Sequence, residues 1–458
     1  MALHAGWHRV AVVLKVNMST FAPMRTHQNL FITLVLCALT LLLSNVAFAQ
    51  TELLAIDDGL EGLILEGELD DNAPRARFYV EGRSRLELDI SRTLLTRSEV
   101  LTGLSLRARL GAEIPLAKHW ARVVIGDGFR LGPVDDLPLP IVNENVARFI
   151  YELELDFDLP IFGQEGRLHL GRFAFELSDG RMLGRADFDP RGRSFDGALL
   201  DVAAGDTQWR LAAFLLESDD LADLNTRSSV ALANLQKPFG PLFVDVFAIA
   251  HQDREGVREV QALSLGTELR IDTEVFDARL AGIGQAASVA PDILEPAGFG
   301  GHGAADLRLT FSSFSAQLGA EVTGGRRVEG KSFRRPAGDL HPFLGALDLT
   351  VADNVWSVFG EVGLIGEKGF HAYLKPQLIG LTVPLQPFVD GLERQLLPYG
   401  TKSPLVMFEL DAALNVDLHE SIYLSAEYGL GIGLGDFESV VPLQRFLVSV
   451  AFRADTLL

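Results

Sequence analysis

From residue 75 onward, apolar and polar side chains alternate over long stretches. Phe149, Tyr151, Leu153, Leu155, Phe157 and Leu159 interleave with Arg148, Glu152, Glu154, Asp156 and Asp158. The same rhythm separates Leu104, Leu106, Ala108, Leu110 and Ala112 from Ser105, Arg107, Arg109 and Glu113, and Leu86, Leu88 and Ile90 from Arg83, Arg85, Glu87 and Asp89. It returns as Phe408, Leu410, Ala412, Leu414, Val416 and Leu418 against Glu409, Asp411, Asn415 and Asp417. A period of two puts successive side chains on opposite faces of an extended chain, so these segments are strands. Strands of a soluble sandwich run about five or six residues, whereas many of these run about nine to twelve, enough to cross a bilayer at a tilt. Roughly 18 such segments fit between residues 75 and 454, with the oily row toward lipid and the charged row toward a wet lumen. An open edge is untenable in hydrocarbon, so the sheet must close. The expected fold is all-β: a transmembrane antiparallel up-and-down barrel over residues 75–458.

Details along the chain agree with that reading. Phe446, Val448, Val450 and Phe452 form a terminal alternating series, similar to the C-terminal assembly signal of bacterial outer-membrane barrels, with Arg453 to Leu458 trailing beyond it. Tyr79, Trp120, Trp209, Trp356 and Tyr423 lie near strand ends, where interfacial aromatic girdles form. Segments rich in Gly, Pro, Asp or Arg are expected as long loops: Gly126–Asn145, Glu176–Ser194, Gln285–Gly303, Gly324–His341 and Val383–Pro404. Phe388–Leu397 has the pattern of a short helix or plug.

Ahead of the strands, Leu30 to Leu43 is an apolar run preceded by Arg25 and His27 and followed by Ala47-Phe48-Ala49. A spanning helix needs about 20 apolar residues; the shorter run, its basic flank and the small residues match a cleaved signal peptide. Residues 1–49 are thus expected to be an N-terminal extension and signal peptide starting at Met24, and 50–74, acid-rich and without a base, a periplasmic lead-in.

Composition adds a tension. The 458 residues carry 61 acids and 40 bases, a formal charge of −21, yet mean hydropathy is +0.20. Alternation resolves this, because charge and oil share the same strands on opposite faces. Loss of 1–49 would remove Arg9, Lys15 and Arg25 and no acid, moving the charge from −21 to −24. It would also remove the single cysteine, Cys37, and with it any disulfide or thiolate chemistry. Such acidity argues against a nucleic-acid partner.

The densest basic cluster spans residues 168–200, where Arg172, Arg181, Arg185, Arg191 and Arg193 interleave with Glu176, Asp179, Asp187, Asp189 and Asp196. With periplasmic termini, this loop leaves the fifth strand on the outer side, where folding inward would narrow a channel; a solvated loop whose charges pair internally is the alternative. Gly171-Arg172, then Ser178-Asp179-Gly180-Arg181-Met182-Leu183-Gly184, then Arg193-Ser194-Phe195-Asp196-Gly197 resemble, in order and spacing, the signature of the alginate-export family of outer-membrane barrels. Phe173 replaces the family's favoured Gln, and Phe188 its Trp. The resemblance implies an 18-stranded monomeric channel in the bacterial outer membrane, built with that membrane's lipid and its barrel-assembly machinery, that passes an anionic polysaccharide or small solute through an arginine-rich constriction.

Guanidinium groups stay charged and bind carboxylates bidentately, and 33 of the 40 basic residues are Arg. Alternation selects Arg83, Arg85, Arg107, Arg109 and Arg148 as lumen-facing; the motif adds Arg172, Arg181, Arg193 and Asp196. Acids share these faces, so a salt-bridge network bracing the wall is the competing role for each arginine. Nothing signals an enzyme or a cofactor. There is no G-x-S-x-G, His419-Glu420 lacks the second histidine of H-E-x-x-H, and Gly429, Gly431, Gly433 and Gly435 alternate within a strand rather than cradling phosphate. No metal is expected, although loop acids such as Asp135, Asp136, Asp187 and Asp189 offer calcium-type ligands. Two other functions remain: a plugged structural or adhesive barrel, and a secreted soluble β protein.

Overall fold

The computed structural model describes residues 75–90, 100–116, 119–131, 150–185, 192–216, 228–255, 258–290, 298–325, 333, 335–336, 354–367, 369–382, 404–435 and 442–457. They form 18 strands: β1 (Arg77–Ile90), β2 (Val100–Leu116), β3 (His119–Leu131), β4 (Ile150–Ile161), β5 (Gln164–Phe173), β6 (Phe195–Ala204), β7 (Thr207–Leu216), β8 (Ser228–Phe239), β9 (Leu242–Glu255), β10 (Arg258–Asp272), β11 (Phe276–Ala290), β12 (Gly298–Thr310), β13 (Phe314–Gly325), β14 (Val355–Ile365), β15 (His371–Leu381), β16 (Leu405–His419), β17 (Ile422–Gly433) and β18 (Leu443–Leu457). Each strand pairs antiparallel with the next, and β1 closes on β18 from Arg77↔Leu457 to Ile90↔Gln444. Closure leaves no edge unpaired, as a wall in hydrocarbon requires.

Alternation sorts the faces as expected. Leu153, Leu211, Leu265, Leu318 and Leu364 stand exposed on the outer wall, whereas Glu87, Glu154, Asp245, Glu268 and Glu409 on the inward rows are buried. Large apolar side chains outside and carboxylates inside invert a soluble core, and such a wall suits a transmembrane barrel. No described helix is long and apolar enough to cross a membrane. One end of the barrel is closed by tight turns, among them 162–163, 205–206, 240–241 and 420–421; the other carries long connections such as 132–149, 174–194 and 326–354.

Several local expectations change. β18 runs through Arg453 to Leu457 instead of ending at Phe452, because charges at the lumen mouth hold it: Asp455 accepts from Arg77 Nε at 3.0 Å, and Arg453 lies over the Tyr79 ring at 4.8 Å. Gln285–Ala290 and Gly298–Gly303, expected as loop, belong to β11 and β12, with Gln285↔Gly300 and Ala287↔Gly298 in register. Their Ala, Ser and Gly residues mimic loop chemistry, but the sheet beside them supplies backbone partners. β3 similarly extends to Leu131. Only part of the expected aromatic girdle forms. Tyr79 is buried opposite Gly111 on the inward row, Trp120 pairs with inward Asp156 and Tyr423 with Asp417, while Trp209 stands on the outer wall. The N-terminal extension, lead-in, Phe388–Leu397 and the acids Asp135, Asp136, Asp187 and Asp189 lie outside the described residues.

Candidate functional site

Downstream of β5 the chain turns into the barrel. Leu177, Met182 and Leu183 are fully buried, and a tight turn is closed by Gly180 N–H to Leu177 O at 2.9 Å and Leu177 N–H to Leu183 O at 3.0 Å. These residues pack with Phe173, Phe175, Phe195, Phe214, Phe247 and Ile249 into an apolar core inside the barrel. The Phe214 ring lies 5.1 Å from Phe175, 5.2 Å from Phe195 and 5.7 Å from Phe173, favourable aromatic spacings. Phe333, from the β13–β14 connection, joins the same core. Polar anchors fix the loop to the wall. Ser178 donates to Asp245 on β9 at 2.7 Å; Arg181 donates to Asp179 at 2.7 Å and also to Glu321 on β13; Asp179 accepts from Arg279 on β11.

The wall from β18 through β1 to β2 has a different lining. Its inward rows carry Arg77, Arg83, Arg85, Arg107, Arg109, Arg445 and Arg453 with Glu81, Glu87, Glu113 and Asp455. Arg83 faces Arg107 directly in the ladder. Glu81 Oε1 lies 3.2 Å from Arg107 and 3.0 Å from Arg109, so one carboxylate serves two guanidiniums. Arg85 pairs with Glu87 at 2.8 Å, and Arg445 reaches the same carboxylate at 3.4 Å. Arg109 also stacks on Tyr151 at 3.5 Å, and Tyr151 donates to the Arg193 carbonyl at 3.3 Å. Gly192 is confined here: its φ is +68°, and a Cβ would sit 2.5 Å from Arg109 Nη2. The infolded segment therefore returns to the wall beside Arg109. Among the described residues, the neighbouring wall of β14 to β17 is acidic, with Glu361, Glu409, Asp411 and Glu427 inward beside Lys375.

Among the expected site residues, the structure thus brings Arg83, Arg107 and Arg109 to one region and places Arg85 beside them; Arg193 reaches it through its backbone carbonyl, while its guanidinium donates to Gly184 O at 3.4 Å. Arg181 lies across the lumen in the loop's anchors. Arg172 and Asp196 depart from the expected passage: the register sets them on the row of Leu153 and Leu215, the outward one, where they bind each other bidentately at 2.7 and 2.7 Å. The glycine in register with Gly197 is Gly171, φ +121°, whose Cβ would meet Leu153 O at 2.1 Å. The spaced GR and FDG elements therefore face each other across β5 and β6. Arg148 lies outside the described residues.

The comparisons with known proteins address the fold. No known family's sequence profile matches the chain, and no curated protein is similar to it in sequence. Among solved structures, OccAB4 of Acinetobacter baumannii superposes with a TM-score of 0.54 at 10% identity, covering 84% of this chain and 99% of that one. The outer membrane protein OpdK of Pseudomonas aeruginosa gives 0.54 at 11%, covering 83% and 99%. OccK2 (OpdF) of P. aeruginosa, solved in complex with glucuronate, gives 0.51 at 10%, covering 83% and 98%. The fold is that of outer-membrane porins.

Sequence reasoning missed several inward cations of this porin-like barrel: Arg122, Arg210, Arg279 and Arg445. Arg122 lies 3.2 Å from both Glu113 and Glu154, Arg210 lies 3.2 Å from Asp201, and Arg279 lies 3.1 Å from Glu268. The near-continuous apolar run around Val123 to Ile125 hid the alternation that includes Arg122. Among the described residues, one group, Glu154, Asp156 and His169, has metal-ligand spacing.

Proposed function

We propose that the protein is a monomeric outer-membrane channel for small carboxylate-bearing solutes, which move down their gradient along the arginine wall of β18, β1 and β2. The observation that carries this reading is the placement of Arg83, Arg107 and Arg109 on one inward arc, to which the infolded loop returns at Gly192 and the Arg193 backbone. Guanidinium groups present paired donors to carboxylates, and a lumen lined by fixed charge selects by sign. The glucuronate named for OccK2 and the vanillate named for an OpdK structure are both carboxylates. The alginate-export-like signature points in the same direction, to uronate units as cargo and export as the direction of movement.

The reading needs no cofactor and no bond chemistry. Its partners are outer-membrane lipid and the machinery that assembles barrels. Insertion of the purified protein into planar bilayers tests it: discrete channels should pass chloride in preference to potassium, and glucuronate should reduce the current. Absence of channels would contradict the reading.

A second reading, a plugged structural or adhesive barrel, is favoured by one observation. Residues from two connections, Leu177–Leu183 and Phe333, already fill part of the lumen. A closed wild-type barrel that conducts only after these connections are shortened would support it.

A further inference from the structure

Three inward side chains on β4 and β5 share a geometry that ion pairing does not fully satisfy. Glu154 and Asp156 alternate on β4 and so share its inward face, and His169 stands across the ladder from Asp156. Opposite Glu154 on β5 is Gly171, so no side chain flanks it on that strand, while Arg122 flanks it on β3. Glu154 Oε1 and Asp156 Oδ1 each lie 2.7 Å from the same ring atom, His169 Nδ1. One N–H serves one of them: the hydrogen bond runs to Glu154, and Asp156 Oδ1 has no hydrogen-bond partner, although Asp156 is only 8% exposed. A buried carboxylate oxygen aimed at an already committed nitrogen is costly.

The surroundings favour a cation. His169 Nε2 lies 3.4 Å from Asp201 Oδ2, and Asp201 is held by Arg210 at 3.2 Å. A carboxylate beside the far ring nitrogen holds the remaining ring proton there, so that a metal displacing the Nδ1 proton would find that nitrogen's lone pair aimed at the two carboxylates. Arg122 occupies the other oxygen of Glu154, Oε2, at 3.2 Å, leaving Oε1 for the site. The three candidate ligand atoms lie within 4.8 Å of one another.

We propose that Glu154, Asp156 and His169 form a lumen-facing site for a divalent cation of the zinc class, with Asp201 as the positioning residue for the imidazole. One imidazole with two carboxylates and an open position suits Zn²⁺; an all-oxygen set would suit Ca²⁺ or Mg²⁺. The His169 side chain keeps 16% of its surface exposed, so the site is reachable from the lumen.

The test uses the full chain in detergent, stripped with chelator and titrated with ZnCl₂ by calorimetry, with retention of the folded band on unheated gels as the folding control. About one Zn²⁺ per chain is expected. His169→Gln and Asp156→Asn should abolish that site, Asp201→Asn should weaken it by about tenfold, and His419→Ala should leave it intact. Titration with CoCl₂ should give a visible spectrum with an imidazole ligand that His169→Gln removes. Equal Zn²⁺ binding by wild type and folded His169→Gln, no Zn²⁺ binding by wild type, or tighter binding of Ca²⁺ than Zn²⁺ would each overturn the proposal.

Discussion

Two sides of the lumen, made by the same alternating strands, are lined by different chemistry. From β6 to β9 the inward rows supply Phe195, Phe214, Val230, Leu232, Phe247 and Ile249, and the infolded loop covers them with Leu177, Met182 and Leu183. From β18 to β2 the inward rows supply arginines and glutamates that share partners, as Glu81 does between Arg107 and Arg109. The apolar side is stabilised by removing surface from water, a contribution of about 25 cal/mol per Å². The charged side gains little net stability from each pair once desolvation is counted, but it leaves fixed charge facing the passage. One side thus fills its arc of the barrel interior with packed apolar side chains, and the other lines its arc with charge. The contrast teaches that inward alternation alone does not specify a wet channel: the residue type on the inward row decides which arc is packed with apolar side chains and which is lined with charge.

Substitutions on the two sides should therefore separate stability from selectivity. The largest effect is expected from Phe195→Ala, which empties the centre of the packed arc and should cost about 3–5 kcal/mol; detergent unfolding curves and a rise in single-channel conductance would check it. Arg181→Ala leaves the buried Glu321 without that partner and should cost about 3 kcal/mol, while the double change Arg181→Met with Glu321→Leu should recover most of the loss in the same unfolding assay. Arg172→Ala removes an outward, partly exposed bidentate pair. It should cost only about 1 kcal/mol and leave the reversal potential unchanged, which would separate the motif's structural arginine from those facing the passage.

Much of the fold was legible in the sequence because a period of two has a single physical reading at bilayer length. The rows of Arg83 and Arg85, of Arg107 and Arg109, and of Glu152, Glu154 and Asp156 fall on the inward faces that alternation assigned. Residues at the ends of the pattern were less legible. The two faces keep alternating through Gly171, but the polar-inward pattern reverses at Arg172 and Phe173, and only the register shows that Arg172 and Asp196 face outward. The loop's entry into the barrel was suggested by position, but Ser178–Asp245 and Arg181–Glu321 join residues far apart in the chain, and no local pattern encodes such pairs. His169 was passed over for a similar reason, since its three carboxylate neighbours come from β4 and β6.

The arginine wall is the central claim, and it faces a chain whose overall charge is −21. Net charge repels anions at long range, but screening acts over about 8 Å at physiological ionic strength, so under the proposed function it is the local cluster that selects the ion. The most direct measurement is the reversal potential of single channels in a tenfold KCl gradient, for the wild type and for Arg107→Glu with Arg193→Glu. The account predicts anion preference in the wild type and a shift toward cations in the variant; a cation-preferring wild-type channel that the two substitutions leave unchanged would contradict it.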